Sequence, residues 1–437
     1  MTWRRLVLGA TAATVAAVAA LLGGVIHGSA GRAAPRAGVA QPGALAAEFA
    51  ASNTATYVAQ LQDALRMAPA NVHGLGLLGL AYEQRARETG DPTYYTKADG
   101  VLRRALRLAP SDLIATGGLG SLALSRHRFR DALTLGLRAR RLSPTTAQTY
   151  GLIGDALLEL GQYRRAFAAF DKLARLKPGL TAYARVSYAR ELVGDYAGAT
   201  AAMKLALGSA VGEREALAWT DVQLGKLYWS HGDVGAAAHE DRAALLAFHG
   251  YPSALDALAV AEAAEGRLDA AIASERRAVD AIPLPQYVAT FGDLLARAGR
   301  RDEARRQYAL IGAIRKLLAA NGVRTDLETA LFDVDHGVQL RDSVALARRA
   351  RAERPSIDGD DVLAWALMRS GRCGEALVWS RHSLRLGTQD ALKFFHRGAI
   401  ERCLGNRTAA HAWLRRALAL NPHFSLLWAP VARRWLR

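Results

Sequence analysis

Pro110, Pro144 and Pro178 recur at 34-residue intervals, and Pro355 and Pro422 carry the step onward with Gly387 and Thr388 at the site between them. Small residues keep fixed places ahead of these prolines: Ala98 and Ala105 before Pro110, Ala132 and Ala139 before Pro144, Ala166 before Pro178. A period of 34 marks an array of helix–turn–helix units, each packed on its neighbours. The 437 residues therefore read as one core extended along an axis, not as the two or three globular domains that length alone suggests. Such an array recognises through its surface, and a buried catalytic pocket is foreign to it.

Composition narrows this further. At 51% hydrophobic and 22% charged, the chain has ample material for a packed core and lies far from a disordered profile. Only 7% is aromatic, so the core must be built mainly from Ala and Leu. A net charge of +17 points to an anionic partner. Against that, the arginines fall in pairs on second helices (Arg103/Arg104, Arg164/Arg165, Arg276/Arg277, Arg305/Arg306, Arg348/Arg349, Arg415/Arg416). A solvated outer face is the simpler reading, weak attraction to anionic lipid or a cell-surface polymer comes second, and nucleic acid last.

Arg4 and Arg5 precede an uncharged apolar run, Leu6 to Ile26, followed by Gly28, Ser29 and Ala30. That order reads as an export signal. The run is also long enough to span a bilayer at about 1.5 Å per residue. Residues 1–30 are expected to be a cleaved signal peptide or a retained membrane anchor through residues 6–26, with the array delivered outside the cytoplasm. Thr2, Trp3, Leu6 and Val7 fit a twin-arginine signal poorly. Residues 31–43 are a Gly-, Pro- and Ala-rich linker, 44–423 the array, and 424–437 a capping helix with Leu427, Trp428, Val431 and Trp435 on one side.

Within the array the same residue types return. One unit has Leu75, Leu78, Gly79, Tyr82, Ala98, Leu102, Ala105 and Pro110; another has Ile153, Gly154, Leu157, Ala166, Phe170 and Pro178; the last has Phe394, Gly398, Ala410, Leu414, Ala417 and Pro422. Small residues let helices approach closely, bulky ones fill the gaps, and proline stops each second helix. Turn signals lie between the helices of a unit at Gly161, Gly194-Asp195, Gly232-Asp233, Gly266, Gly299, Gly371 and Gly405. This pattern resembles the tetratricopeptide repeat family over residues 44–423. The resemblance implies an all-α, right-handed superhelical solenoid of about ten repeats. Three departures stand out: extra residues in the inter-helix turn of the first unit (RETGDPTYYT), lengthened connections at Ser209–Glu215 and Ile314–Thr325, and a degenerate unit at 324–355 with Leu331 where glycine is usual.

No nucleophile elbow, phosphate loop, dinucleotide turn or zinc-protease motif is present, so neither an enzyme nor a cofactor is expected. The resemblance implies a ligand groove on the concave face, lined by first helices. Carried onto this chain, that groove holds Asp155, Arg185, Tyr188, Trp219, Lys226 and Trp229, with Glu159 and Glu191, in units three to five. In units eight to ten it holds Phe332, Asp335, His336, Asp361, Trp365, Arg369, Phe395, His396 and Arg402, with Glu328 and Asp358. Mixed charge and aromatic rings suit an extended peptide.

The densest cluster is Asp333, Asp335 and His336 with Asp358, Asp360 and Asp361. It reads first as a turn and a helix N-cap, then as a contact for a cationic peptide, and last as a divalent-cation site. Cys373 and Cys403 fall where the start of one unit's second helix meets the end of the next unit's first. They are a disulfide in an oxidising compartment or two separate thiols. The expected function is a non-enzymatic protein- or peptide-binding scaffold acting outside the cytoplasm. A cation-handling or enzyme-associated accessory role through the acidic cluster is the alternative. A nucleic-acid code needs polar readers at one inner position, and Gly76, Gly117, Gly151, Ala184, Val222, Asp256 and Ala289 do not supply them.

Overall fold

The computed structural model describes residues 54–210 and 212–437; the expected signal or anchor at 1–30, the expected linker at 31–43 and the first residues of the expected array lie outside them. Among the described residues every element is an α-helix. After α1 (Thr54–Met67), hairpin 1 pairs α2 (Val72–Thr89) with α3 (Thr93–Leu108), hairpin 2 α4 (Leu113–Ser125) with α5 (Phe129–Leu142), and hairpin 3 α6 (Ala147–Glu159) with α7 (Tyr163–Leu176). Hairpin 4 is α8 (Leu180–Leu192) and α9 (Tyr196–Gly208), hairpin 5 α10 (Arg214–Ser230) and α11 (Val234–Ala247), and hairpin 6 α12 (Pro252–Ala264) and α13 (Leu268–Ala281). Hairpin 7 is α14 (Pro285–Arg297) and α15 (Arg301–Ala320), and hairpin 8 α16 (Asp326–Asp335) and α17 (Leu340–Glu353). Hairpin 9 is α18 (Ile357–Arg369) and α19 (Cys373–Ser383), hairpin 10 α20 (Ala391–Cys403) and α21 (Arg407–Leu420), and α22 (Ala429–Leu436) closes the stack. Among the described residues no helix is long and apolar enough to cross a membrane.

The recurrent small residues act as the pattern requires. A Cβ on Gly154 would stand 2.3 Å from the Phe170 ring, and one on Gly79 2.4 Å from Leu102, so the two helices of hairpins 3 and 1 touch at van der Waals distance only because these positions are bare. Asn71, Asp112, Asp195, Asp233, Ser356 and Asp390 each accept a backbone N–H of the helix they open, fixing where it starts.

Three sequence expectations are corrected. The extra residues of the first unit lengthen its helices rather than its turn: α2 and α3 have 18 and 16 residues, and only residues 90–92 separate them. Nothing before Gly90 breaks the helix, and Gly90 ends it in a left-handed conformation (φ 67°). In the same way α15 runs through Ile314 to Ala320, so most of the supposed connection is helix. At the C-terminus the helix begins at Ala429, not at residue 424, because Pro430 in its first turn cannot sit deeper inside a helix.

The array coils until it meets itself. The connection after hairpin 7 lies on the turn of hairpin 2, and Arg324 N donates to the Arg126 carbonyl at 3.2 Å. The connection after hairpin 8 lies on the turn of hairpin 3: Ile357 N donates to Tyr163 Oη at 2.7 Å, and Arg354 grips Glu159 with Nε and Nη2. Thr388, after hairpin 9, donates to the Leu192 carbonyl of hairpin 4. Asn421, after hairpin 10, donates to the Trp229 carbonyl of hairpin 5 at 2.7 Å. Glycine turns make this seam close. A Cβ on Gly161 would lie 2.3 Å from the Pro355 carbonyl oxygen, and one on Gly194 2.7 Å from that of Gly387. The lengthened α15 completes the join, placing Ile314 and Leu318 in the same apolar cluster as Leu75 and Leu102 of hairpin 1.

Candidate functional site

The inner face is built from first helices, and the seam brings its two coils opposite each other. Its floor is ionic. Asp155 and Arg185, both buried, form a two-pronged pair at 2.9 and 2.6 Å, and the Arg185 Nη1 also donates to the Thr181 carbonyl at 2.9 Å. Arg354 takes Glu159 on one side and Glu328 at 3.1 Å on the other. Lys393 lies between Asp358 at 2.8 Å and Asp390 at 2.6 Å. The buried charges of these three groups thus have opposite partners, as removal from water demands.

Between these pairs, hairpins 4 to 6 present groups that are less fully matched. Tyr188 keeps 38% of its surface open. Yet burial, then the Asp358 and Glu159 carboxylates, push its phenol well above its ordinary range. Both facts hold together if the open surface looks into the enclosed interior and not into bulk solvent. Glu191 is pushed up to about 7 by burial and then by Asp390. Burial pulls the Lys226 amine down, while Asp256, Asp241 and Glu191 hold it up. Trp229, on the same helix as Lys226, is half-buried, whereas Trp219 packs in the core with Ala184 and Met203 and is not on the open surface.

The C-terminal half of the expected groove is filled by the chain itself. Trp428, in the turn before α22, donates from Nε1 to Asp335 Oδ1 at 2.8 Å, and Trp365 donates to the same oxygen at 2.8 Å. Trp428 meets Trp365 edge-on (5.2 Å) and stacks on Phe395 (5.6 Å), and Trp435 stacks on Phe395 from α22 (5.8 Å). Arg369 lies over both Trp365 and Trp428, and Arg402 over Trp435. His396 is buried, stacked on Trp365 at 4.2 Å, with Nδ1 2.9 Å from Asp361.

The acidic cluster read from the sequence is not brought together. Asp333 pairs with Arg315 at 3.3 Å, Asp360 with Arg351 at 2.9 Å and with Arg385, Asp358 with Lys393, and Asp361 with His396. His336 Nε2 lies 2.8 Å from Asp293, and its ring stacks on Phe332. Burial opposes the His336 charge, but the Asp293 contact outweighs it and raises its pKa. Coulomb attraction has given most of these carboxylates a cation, which dissolves the expected cluster. Among the described residues no group of three His, Cys, Asp or Glu side chains is placed to hold a metal ion. Cys373 and Cys403 are joined as a disulfide between α19 and α20, with Cα atoms 6.1 Å apart.

The tetratricopeptide repeat family matches this sequence at residues 95–147, 147–179 and 222–284. The chain is a tetratricopeptide repeat protein. Solved structures similar to this repeat protein include a human IFIT1 dimer with PPP-AAAA, at 13% identity over 94% of this chain and 96% of that one with a TM-score of 0.47. PilW, a widely conserved type IV pilus biogenesis factor, is 15% identical over 46% of this chain and 92% of its own, with a TM-score of 0.39. A thermophilic tetratricopeptide repeat protein of Thermus thermophilus is 20% identical over 44% and 98%, also at 0.39. No curated protein matches the sequence.

Within this repeat protein, sequence reasoning missed the residues that fasten the coils: Arg354, Asn421, Thr388 and Tyr163. Their partners lie 192 to 196 residues away. The turn glycines were the available signal, read as turns alone.

Proposed function

We propose that this tetratricopeptide repeat protein holds an extended segment of a partner protein on its inner face at hairpins 4 to 6, and does so outside the cytoplasm. The observation that carries the reading is the contrast along that face. Trp428 and Trp435 already occupy the aromatic end, whereas Tyr188, Glu191, Lys226 and Asp256 offer a phenol and charges of both signs without direct ion pairs. Extended peptides are gripped by such mixtures of hydrogen-bonding and apolar groups. The basic pair and apolar run at residues 4–26 support export.

A photo-crosslinking residue in place of Tyr188, expressed in the native host, tests both halves. The expected result is reproducible capture of an extracytoplasmic or membrane protein, reduced about 10-fold by Lys226→Glu. Failure to capture such a protein, or capture indifferent to Lys226→Glu, would overturn the reading.

A further inference from the structure

The seam uses only half of each surface that forms it. On the turn side, Gly161, Gly194 and Gly232 meet the backbone of the next coil. Their counterparts Gly266, Gly299, Gly371 and Gly405, in hairpins 6, 7, 9 and 10, have none of the described residues within 4 Å of where a Cβ would stand. Leu404, beside Gly405, and Val338, in the turn of hairpin 8, are exposed. On the connection side, the chain after hairpins 7 to 10 rests on the turns of hairpins 2 to 5. The connections that begin the array instead carry open apolar side chains: Met67 at 88%, Leu108 at 48% and Leu142 at 38% exposure. Each stands two residues before a repeat proline, Pro69, Pro110 or Pro144. The equivalent residues before the seam's prolines are Glu353 and Leu420; Leu420 is half-buried, and its carbonyl oxygen would lie 3.0 Å from a Cβ on Gly232.

We propose that a second copy of this chain docks end-on, its turn edge from Gly266 to Gly405 resting on the connection edge formed by Met67, Leu108 and Leu142. The contact repeats between molecules the seam that exists within one. The two surfaces have the same repeat spacing as the pair already joined, and the exposed apolar row is the kind of surface a soluble chain covers. The occupant is a second copy because the structure shows one complementary surface for this edge, and every copy carries that surface unused at its other end. The contact joins unlike faces, so it propagates head to tail instead of closing as a symmetric dimer.

Sedimentation velocity on the full chain over a concentration series reads this directly. The expected result is a concentration-dependent ladder of species. Leu108→Glu/Leu142→Glu on the connection edge, or Val338→Glu/Leu404→Glu on the turn edge, weakens association at least about 10-fold. All four residues are exposed, so circular dichroism and melting temperature should match the parent. Mixing the two double variants should restore dimers and nothing larger, since one intact edge of each kind remains. A chain that stays monomeric throughout overturns the proposal. So does association that either double variant leaves intact, or a pair of variants that fail to complement. Residues 1–53 or another protein covering the edge would give the first of these results.

Discussion

Glu83 shows how much chemistry this array places inside itself. It is buried between hairpins 1 and 2, takes a hydrogen bond from Ser121 Oγ at 2.7 Å, and is pushed by burial from an ordinary 4.5 up to about 8. Its folded pKa is raised, so between about pH 4.5 and 8 the native state holds a proton that the unfolded chain has released, and stability falls as pH rises through that window. Glu191, raised to about 7, adds to the same slope. Thermal melting of Glu83→Gln should therefore show a gain of a few kcal/mol over the parent at pH 9 and little difference near pH 5. A parent whose stability is flat across that range would refute the assignment. The sequence makes Glu159, Arg185 and Lys226 legible as inner-face residues because first-helix position determines the face. It does not make their partners legible, since whether Arg354 reaches Glu159 depends on how far the array has turned over 195 residues.

At the scale of elements, repeat spacing is a reliable guide to helices and a poor one to loops. The hairpins ending at Pro110, Pro144, Pro178 and Pro422 lie where the prolines and small residues place them, and hairpin 8 forms with Leu331 in place of glycine. The inserted residues were misplaced because each insertion continues the preceding helix up to its first left-handed glycine, Gly90 after α2 and Gly322 after α15. That extra length matters, because α15 carries Leu318 onto hairpin 1. The connection between α17 and α18 carries the seam's buried two-pronged ion pair, Arg354 on Glu159. Arg354→Ala would leave Glu159 buried without its cation and should cost about 3–5 kcal/mol in denaturant unfolding. Arg354→Met/Glu159→Met, which removes both charges, should recover much of that loss. Equal losses in the two variants would show that packing, not charge pairing, holds this contact.

For the whole molecule, the seam changes what kind of solenoid this is. An open array is nearly one-dimensional, and its units unfold in neighbouring groups. Here hairpins 2 to 5 are fastened to the connections after hairpins 7 to 10, so segments far apart in sequence share a fate. Native-state hydrogen exchange should find hairpins 3 and 8 opening with one free energy, and Arg354→Ala should separate them. Independent opening in the parent would mean that the seam carries no energetic weight. The closure was not legible in the sequence, because the pitch of a coil is a sum over every hairpin and no single residue encodes it. That collective origin also limits how the protein can change length. The stitches join each turn to a connection five hairpins further on, so the array has a counted circumference. Losing or duplicating any hairpin from 6 to 7 would shift all four stitches by one unit together, whereas the same change beyond the fastened stretch would leave them in register. The interior of this repeat protein is frozen in number, and only its ends are free to grow.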